Sequence, residues 1–321
     1  ASDNVGNKDP TPASLSWTVD TAPPSTTITS AIDGKRNTVT AGGNSTSTSM
    51  TFTMSGNDTG VGLDHFECSL DGASFTLCAS PVEFKNLADG AHTLEVQSKD
   101  KVGNADPTHA SFAWRIDTTP PTTTIGSAVD GNKTAISNSS STGSNTITFS
   151  FSGQDTGKVE VKRFECSLDN SAFAACTSPY SIQKLTDGTH KFNVRAVDNS
   201  GNRDNSPDLF TWRVDTTPPS SSITTATDGN NKTMSAGGDT TSTSMSFTFS
   251  GNDTNGVGLD RFECSVDRET FATCTSPVKV SSLPDGSHTV QVRAQDKVGN
   301  KDPSPASFNW KVDTTAPTTK I

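Results

Sequence analysis

Long apolar runs are missing from this chain. Hydrophobic residues make up 30% of its 321 positions, and no run of about 20 consecutive apolar residues offers a membrane span. Helical periodicity is missing too: no segment of helical length places apolar residues three and four apart, which argues against an α-helical fold. Positive charge is in deficit, with 25 Lys and Arg against 35 Asp and Glu and a net charge of −10. No basic stripe is available to neutralise phosphates, so a nucleic-acid partner is excluded. That balance suits cations or a hydrated surface. No initiator methionine or signal-like segment opens the chain at Ala1, which reads as a mature or excised piece.

So polar a chain would be disordered if its apolar residues were scattered. They fall instead into short alternating runs, and the pattern recurs. "FECSLDGASFTLC" begins at Phe66, "FECSLDNSAFAAC" at Phe164 and "FECSVDRETFATC" at Phe262, 98 residues apart each time. Trp17, Trp114, Trp212 and Trp310 follow at intervals of 97, 98 and 98. A fixed period of this size means a tandem array of equal repeats, each as long as an immunoglobulin-like (Ig-like) sandwich. The expected division has three whole repeats, 21–118, 119–216 and 217–314. Residues 1–20 read as the last strand of an incomplete preceding repeat, and 315–321 as the first strand of an incomplete following one. On that reading Ala13, Leu15, Trp17 and Val19 form an apolar stripe without a sheet of its own. Truncation of a longer array explains this better than strand donation, because each whole repeat already has a last strand.

Within one repeat the residues spell strands. Met50, Phe52 and Met54 alternate with Thr and Ser; Phe66, Cys68 and Leu70 alternate likewise; His92, Leu94, Val96 and Ser98 share a face, as do Ala110, Phe112, Trp114 and Ile116. Adding "STTITS" from Ser25, "FTLC" from Phe75 and the run Val82, Phe84, Leu87 gives seven strands divided by Gly, Asp, Asn and Pro turns. Period-two alternation on this scale predicts an all-β chain of antiparallel two-sheet sandwiches, forming an extended rod. The linkers "DTAPP", "DTTPP" and "DTTAP" should be extended and semi-rigid, because proline fixes its own φ and restricts its predecessor.

The cysteines pair by position. A turn near Gly72-Ala73-Ser74 would set Cys68 directly opposite Cys78. Six cysteines allow 15 pairings, but repeats in an array meet only their neighbours. Cys68–Cys78, Cys166–Cys176 and Cys264–Cys274 are therefore expected, each stabilising its repeat by roughly 2–3 kcal/mol. Paired cysteines favour an oxidising, extracytoplasmic compartment. Zinc is disfavoured, since the spacing is not Cys-x2-4-Cys and no His pair recurs beside the sulfurs.

The segments "WRVDTTPP" at Trp212, "GNDTNGVGLD" at Gly251 and "DKVGNKDP" at Asp296 resemble the Ig-like and fibronectin type III-like repeats of large prokaryotic cell-surface proteins. The resemblance covers the whole chain and implies a stalk, adhesin or surface fibre. The chain departs from antibody-type domains, because its cysteines staple a hairpin instead of bridging two sheets. Its single tyrosine, Tyr180, cannot supply a tyrosine corner in every repeat.

Acidic residues gather where strand order brings loops together. The loop between strands two and three, the loop between six and seven, and the incoming linker share one pole of a repeat. In the first repeat they carry Asn57, Asp58 and Asp64; Asp100, Asn104 and Asp106; and Asp20. The second has Asp155, Asp198, Asn202, Asp204 and linker Asp117; the third has Asp253, Asp260, Asp296, Asn300, Asp302 and linker Asp215. Hard oxygen ligands drawn from several loops suit Ca2+. The competing reading is a plain turn, since Asp-Lys-Val-Gly-Asn makes one without an ion. Lys162 stands where the first repeat has Asp64, so the middle site is expected to be weakest.

Other residues read as structural. His92, His190 and His288 have no recurring catalytic partner and suit a hydrogen-bonded corner. Glu67, Glu165 and Glu263 are expected to face outward on strand three, and no second carboxylate recurs beside them as a glycosidase would need. The tryptophans suit a core. Asn-x-Ser/Thr sequons at Asn44, Asn57, Asn132, Asn138, Asn231 and Asn252 would carry glycans in a host that modifies secreted asparagine. No enzyme is expected. The expected role is an extracellular structural rod or filament whose partners are neighbouring repeats and other copies. The alternatives are an adhesin reading a cell-surface or glycan ligand through exposed loops, and a spacer in a secreted polysaccharide-degrading enzyme.

Overall fold

The computed structural model describes residues 1–157 and 159–319. Among them no helix occurs, and none is long and apolar enough to cross a membrane. The chain forms two compact units. The first holds residues 1–122, 153–163 and 196–205; the second holds 123–152, 164–195 and 206–321.

The first sandwich is built from β1 (Ser25–Asp33), β2 (Asn44–Ser45), β3 (Met50–Asn57), β4 (Leu63–Leu70), β5 (Thr76–Cys78), β6 (Val82–Phe84), β7 (Gly90–Asp100) and β8 (Ala110–Ile116). Two sheets result, a three-stranded one ordered β1-β3-β6 and a five-stranded one ordered β2-β8-β7-β4-β5. Strand by strand this repeats as β9 (Thr122–Asp130), β10 (Ser141–Thr142), β11 (Ile147–Gln154), β12 (Val161–Leu168), β13 (Ala174–Cys176), β14 (Tyr180–Ile182), β15 (Gly188–Asp198) and β16 (Asp208–Val214). The third copy is β17 (Ser220–Asp228), β18 (Asp239–Thr240), β19 (Met245–Asn252), β20 (Leu259–Val266), β21 (Ala272–Cys274), β22 (Val278–Val280), β23 (Gly286–Asp296) and β24 (Ala306–Val312). The two-residue strand β2 had no place among the seven expected strands. It pairs in parallel with β8, Asn44 against Arg115 and Ser45 against Ile116.

Alternation buries one face of each strand. Met50, Phe52, Leu94, Val96 and Ile116 are wholly or almost wholly buried, while the residues between them stay wetter. Phe52 of β3 meets Trp114 of β8 with ring centroids 5.1 Å apart, which joins the two sheets through one aromatic cluster. Phe149 with Trp212 and Phe247 with Trp310 repeat the contact at 5.4 and 5.2 Å.

The hairpin carrying the cysteines differs in register from the sequence expectation. Its turn lies earlier, on Asp71 and Gly72, both at positive φ (53° and 74°). That is the left-handed pair a tight hairpin demands, which Asp and Gly adopt readily. The register therefore sets Phe66 opposite Cys78 and Cys68 opposite Thr76, so the two cysteines meet diagonally instead of face to face. A shift of two residues keeps both sulfurs on one face. Cys68–Cys78, Cys166–Cys176 and Cys264–Cys274 are bonded, each with Cα atoms 5.8 Å apart.

Candidate metal centre

Each sandwich presents three aspartates at one pole, drawn from three segments: Asp20, Asp58 and Asp100; Asp117, Asp155 and Asp198; Asp215, Asp253 and Asp296. In every triad a ligand atom from each residue lies within 4.8 Å of the others. The first two triads fall inside the first unit and the third inside the second.

Local backbone chemistry builds each arm. The arm at the end of β7 is an Asx-type turn: Asp100 Oδ1 accepts the backbone N–H groups of Val102 and Asn104 at 3.0 and 2.8 Å, and Oδ2 accepts Asn104 Nδ2 at 2.7 Å. The same Nδ2 donates to the linker carbonyl of Asp20 at 3.0 Å. Asn202 and Asn300 tie Asp198 to the Asp117 carbonyl and Asp296 to the Asp215 carbonyl in the same way. The linker carboxylate is gripped by the loop after the second long strand. Asp20 Oδ2 accepts the N–H of Val61, and Asp215 Oδ2 that of Val257, both at 2.8 Å. The loop backbone comes so close that a Cβ on Gly60 would collide with the Asp20 carboxylate, and one on Gly157 with that of Asp117. Only glycine fits there.

The third arm has an unpaired oxygen. Asp58 Oδ2 accepts the N–H of Gly60 and Gly62, but Oδ1 is buried with no hydrogen-bond partner among the described residues; Asp155 Oδ2 and Asp253 Oδ1 repeat this. A buried, unpartnered carboxylate oxygen is costly unless a cation or proton meets it. The linker acids show the same tension. Burial pushes the Asp117 carboxyl above the usual range, and the nearby charges of Asp155 and Asp198 push it further. Asp215 is raised likewise, by burial and then by Asp253 and Asp296. At Asp100 burial also pushes upward, but the hydrogen bonds from Asn104 and the turn backbone outweigh it and hold the carboxyl below its usual range.

Not every acid of the expected set joins a triad. Asp64 and Asp260 sit on the outward positions of β4 and β20, paired with His65 and Arg261 at 2.7 and 2.8 Å. Lys162 is exposed on the matching position of β12. Lys162 therefore replaces a residue that lies outside the triad, and it gives no reason for the middle site to be the weakest. Asp106 and Asp302 are buried one turn further on, where Oδ1 caps Thr108 and Ser304 at 2.8 Å; Asp204 is buried at the same place in the second repeat. Asn44, Asn57, Asn132, Asn138, Asn231 and Asn252 are all exposed, and Asn138 Oδ1 accepts the N–H of Thr211 at 2.8 Å. Glu165 and Glu263 face away from the core as expected of strand three, yet they are 8% exposed. Arg195 and Arg293 cover them at 2.8 and 2.7 Å and lie over Phe173 and Phe271.

Residues 80–163 and 274–321 match the profile of the bacterial Ig-like domain (group 3). The first match begins inside one sandwich and ends inside the next. No curated protein matches the chain in sequence. Among solved structures, a Ca2+-stabilized adhesin with which an Antarctic bacterium binds ice is 19% identical, with a TM-score of 0.41 over 97% of this chain and 80% of that one. A 1.5-MDa bacterial ice-binding adhesin, studied for host cell surface retention, is 12% identical, TM-score 0.37, over 92% and 100%. Fibronectin(III)-like modules of Clostridium thermocellum CbhA are 14% identical, TM-score 0.34, over 55% and 90%. None of the three reaches a TM-score of 0.5.

Proposed function

We propose that the chain is a structural segment of an extracellular bacterial surface array, and that Ca2+ at each aspartate triad ties an Ig-like sandwich to the linker entering it. The observation that carries this reading is the threefold recurrence of a linker aspartate beside two loop aspartates, one of which keeps an unpaired buried oxygen. Three carboxylates supply the hard oxygens and the charge that Ca2+ takes, and water completes the shell. Binding would offset the burial and the repulsion that raise Asp117 and Asp215. It would also fix the linker against the sandwich, so that successive repeats behave as a stiff rod or filament. Disulfides in every sandwich support an oxidising, extracellular setting. A ligand-reading adhesin would vary its loops between repeats, whereas this loop keeps Asp, Gly and Asn in all three, as "DKVGN" at Asp100 and Asp296 and "DNSGN" at Asp198; this favours a mechanical role over recognition.

Titration calorimetry of the EDTA-treated chain tests the reading. About three Ca2+ per chain should bind, with a rise in Tm that EDTA reverses. Absence of both heat and a Tm change at millimolar Ca2+ would leave the triads as plain turns.

A further inference from the structure

His92, His190 and His288 occupy the same buried corner in each sandwich, 8%, 7% and 5% exposed. Each ring lies against the core tryptophan of its own repeat, with centroids 5.4, 5.5 and 5.5 Å apart. Both nitrogens of each ring face an oxygen. Nδ1 lies 2.8, 2.8 and 2.7 Å from Oδ2 of Asp71, Asp169 and Asp267. Nε2 lies 2.8, 2.8 and 2.9 Å from the carbonyl oxygens of Ala88, Thr186 and Pro284.

A neutral imidazole has one N–H, and a backbone carbonyl cannot donate. Nε2 must therefore carry a proton, and a second proton must sit between Nδ1 and the carboxyl. That proton belongs on the ring. The other oxygen of the same carboxyl accepts the backbone N–H of Thr93, Lys191 or Thr289 at 2.8, 2.9 and 2.8 Å. The aspartate side chains are also 44%, 44% and 42% exposed. Donated hydrogen bonds and access to water both favour the ionised acid. The aspartate is the charged group facing each ring. The acid beside the carbonyl behind Nε2 (Asp89, Asp187 or Asp285) turns instead onto the threonines after the last strand.

We propose that each His–Asp pair is a proton-dependent clamp, an imidazolium held between the turn of the cysteine hairpin and the loop before the long strand that bears the histidine. The disulfide closes the base of that hairpin, and the proton closes its tip. Without the proton, the bare Nδ1 lone pair would face a carboxylate oxygen at hydrogen-bond distance, and the tip would be pushed off the sandwich. At His288 burial pulls the pKa down, but the Pro284 carbonyl and the Asp267 charge outweigh it and raise the imidazole above its usual range. The sign follows. Stability from a raised group is fully present below the unfolded-state pKa and is lost as pH rises through the folded one. The clamp thus loosens on the alkaline side, whereas carboxylates held below their usual range lose their contribution on the acid side.

Long-range 1H–15N spectra of the full chain, labelled with 15N-histidine, test the clamp. At pH 7 the ring of His288 should show two protonated nitrogens, with exposed His109 as the internal reference. A nitrogen with a free lone pair in that ring at pH 7 would overturn the proposal. Asp267→Asn should move the His288 titration to lower pH and leave the His92 and His190 signals unchanged, so the two untouched sandwiches serve as controls in the same sample. An unmoved His288 midpoint would also overturn it, since a merely space-filling histidine would not respond.

Discussion

Residues 2–20 and 99–117 carry nearly the same sequence and end in different states. Both run Asp-x-Val-Gly-Asn-x-Asp-Pro-Thr and then Ala-Ser-x-x-Trp. The turn forms in both: Asp3 Oδ1 accepts the N–H of Val5 and Asn7 at 3.0 and 2.9 Å, as Asp100 does for Val102 and Asn104 at 3.0 and 2.8 Å. Asp9 caps Thr11 at 2.8 Å, as Asp106 caps Thr108. The strand forms only in the second. Ala110–Ile116 is β8, with Trp114 2% exposed, whereas Leu15, Trp17 and Val19 stand 83%, 77% and 75% exposed outside any strand. An Asx turn is satisfied within about five residues. A strand is satisfied only by partners tens of residues away.

The largest test of that contrast is truncation of the two tryptophans. Trp114→Ala should cost roughly 3–5 kcal/mol by leaving a cavity among Phe52, Phe112 and His92. Trp17→Ala should stay within about 0.5 kcal/mol. Equal losses in denaturant unfolding would mean that Trp17 is buried in solution. The staple gives the next effect: replacing Cys68 and Cys78 together by Ala should lower stability by roughly 2–3 kcal/mol. Non-reducing peptide mapping of the parent chain should find only the three local pairs.

The linker aspartates sharpen the contrast further. Asp117 is fully buried and Asp20 half-buried. Asp117→Asn should weaken Ca2+ binding by roughly tenfold or more at its triad, and Asp20→Asn should do less. In EDTA the sign for Asp117→Asn reverses. The stability contribution of a carboxyl raised in the folded state is fully present below the unfolded value of about 3.8 and is lost as pH rises through the higher folded one. Removing its charge should therefore raise Tm at neutral pH. A fall in EDTA would show that the hydrogen bonds of the linker carboxylate outweigh its burial and the repulsion from Asp155 and Asp198. The smallest effect belongs to the shared cap: Asp106→Ala should cost about 1 kcal/mol, whereas Asp9→Ala should leave thermal unfolding unchanged.

The sequence made the repeat and the long strands legible, because Phe, Met, Val and Trp mark every second residue of β3, β7 and β8. It concealed β2, whose Asn44 and Ser45 pair through backbone alone. The triads were half-legible. Topology pointed to Asp20, Asp58 and Asp100, but Asp64 follows Leu63 at the start of β4, and strand parity turns it outward. Glu263 looked solvated because the arginine that covers it, Arg293, lies 30 residues on, across a register that no local pattern reveals. The histidine clamp was hidden for a similar reason, since Asp71 reaches His92 from a turn 21 residues earlier.

The modest edges of the five-stranded sheet carry one more consequence. A chain of similar neighbours risks pairing the wrong copies while it folds, since a strand from one repeat suits the sheet of the next. Here the outer strands are β2, of two residues, and β5, of three, too short to template a stranger. The long strands β7 and β8 lie inside the sheet, each between two partners of its own repeat. The five-stranded sheet can therefore close on its own repeat before a neighbour offers an alternative, which leaves the nine-residue β1, an edge of the three-stranded sheet, as the strand where copies could cross.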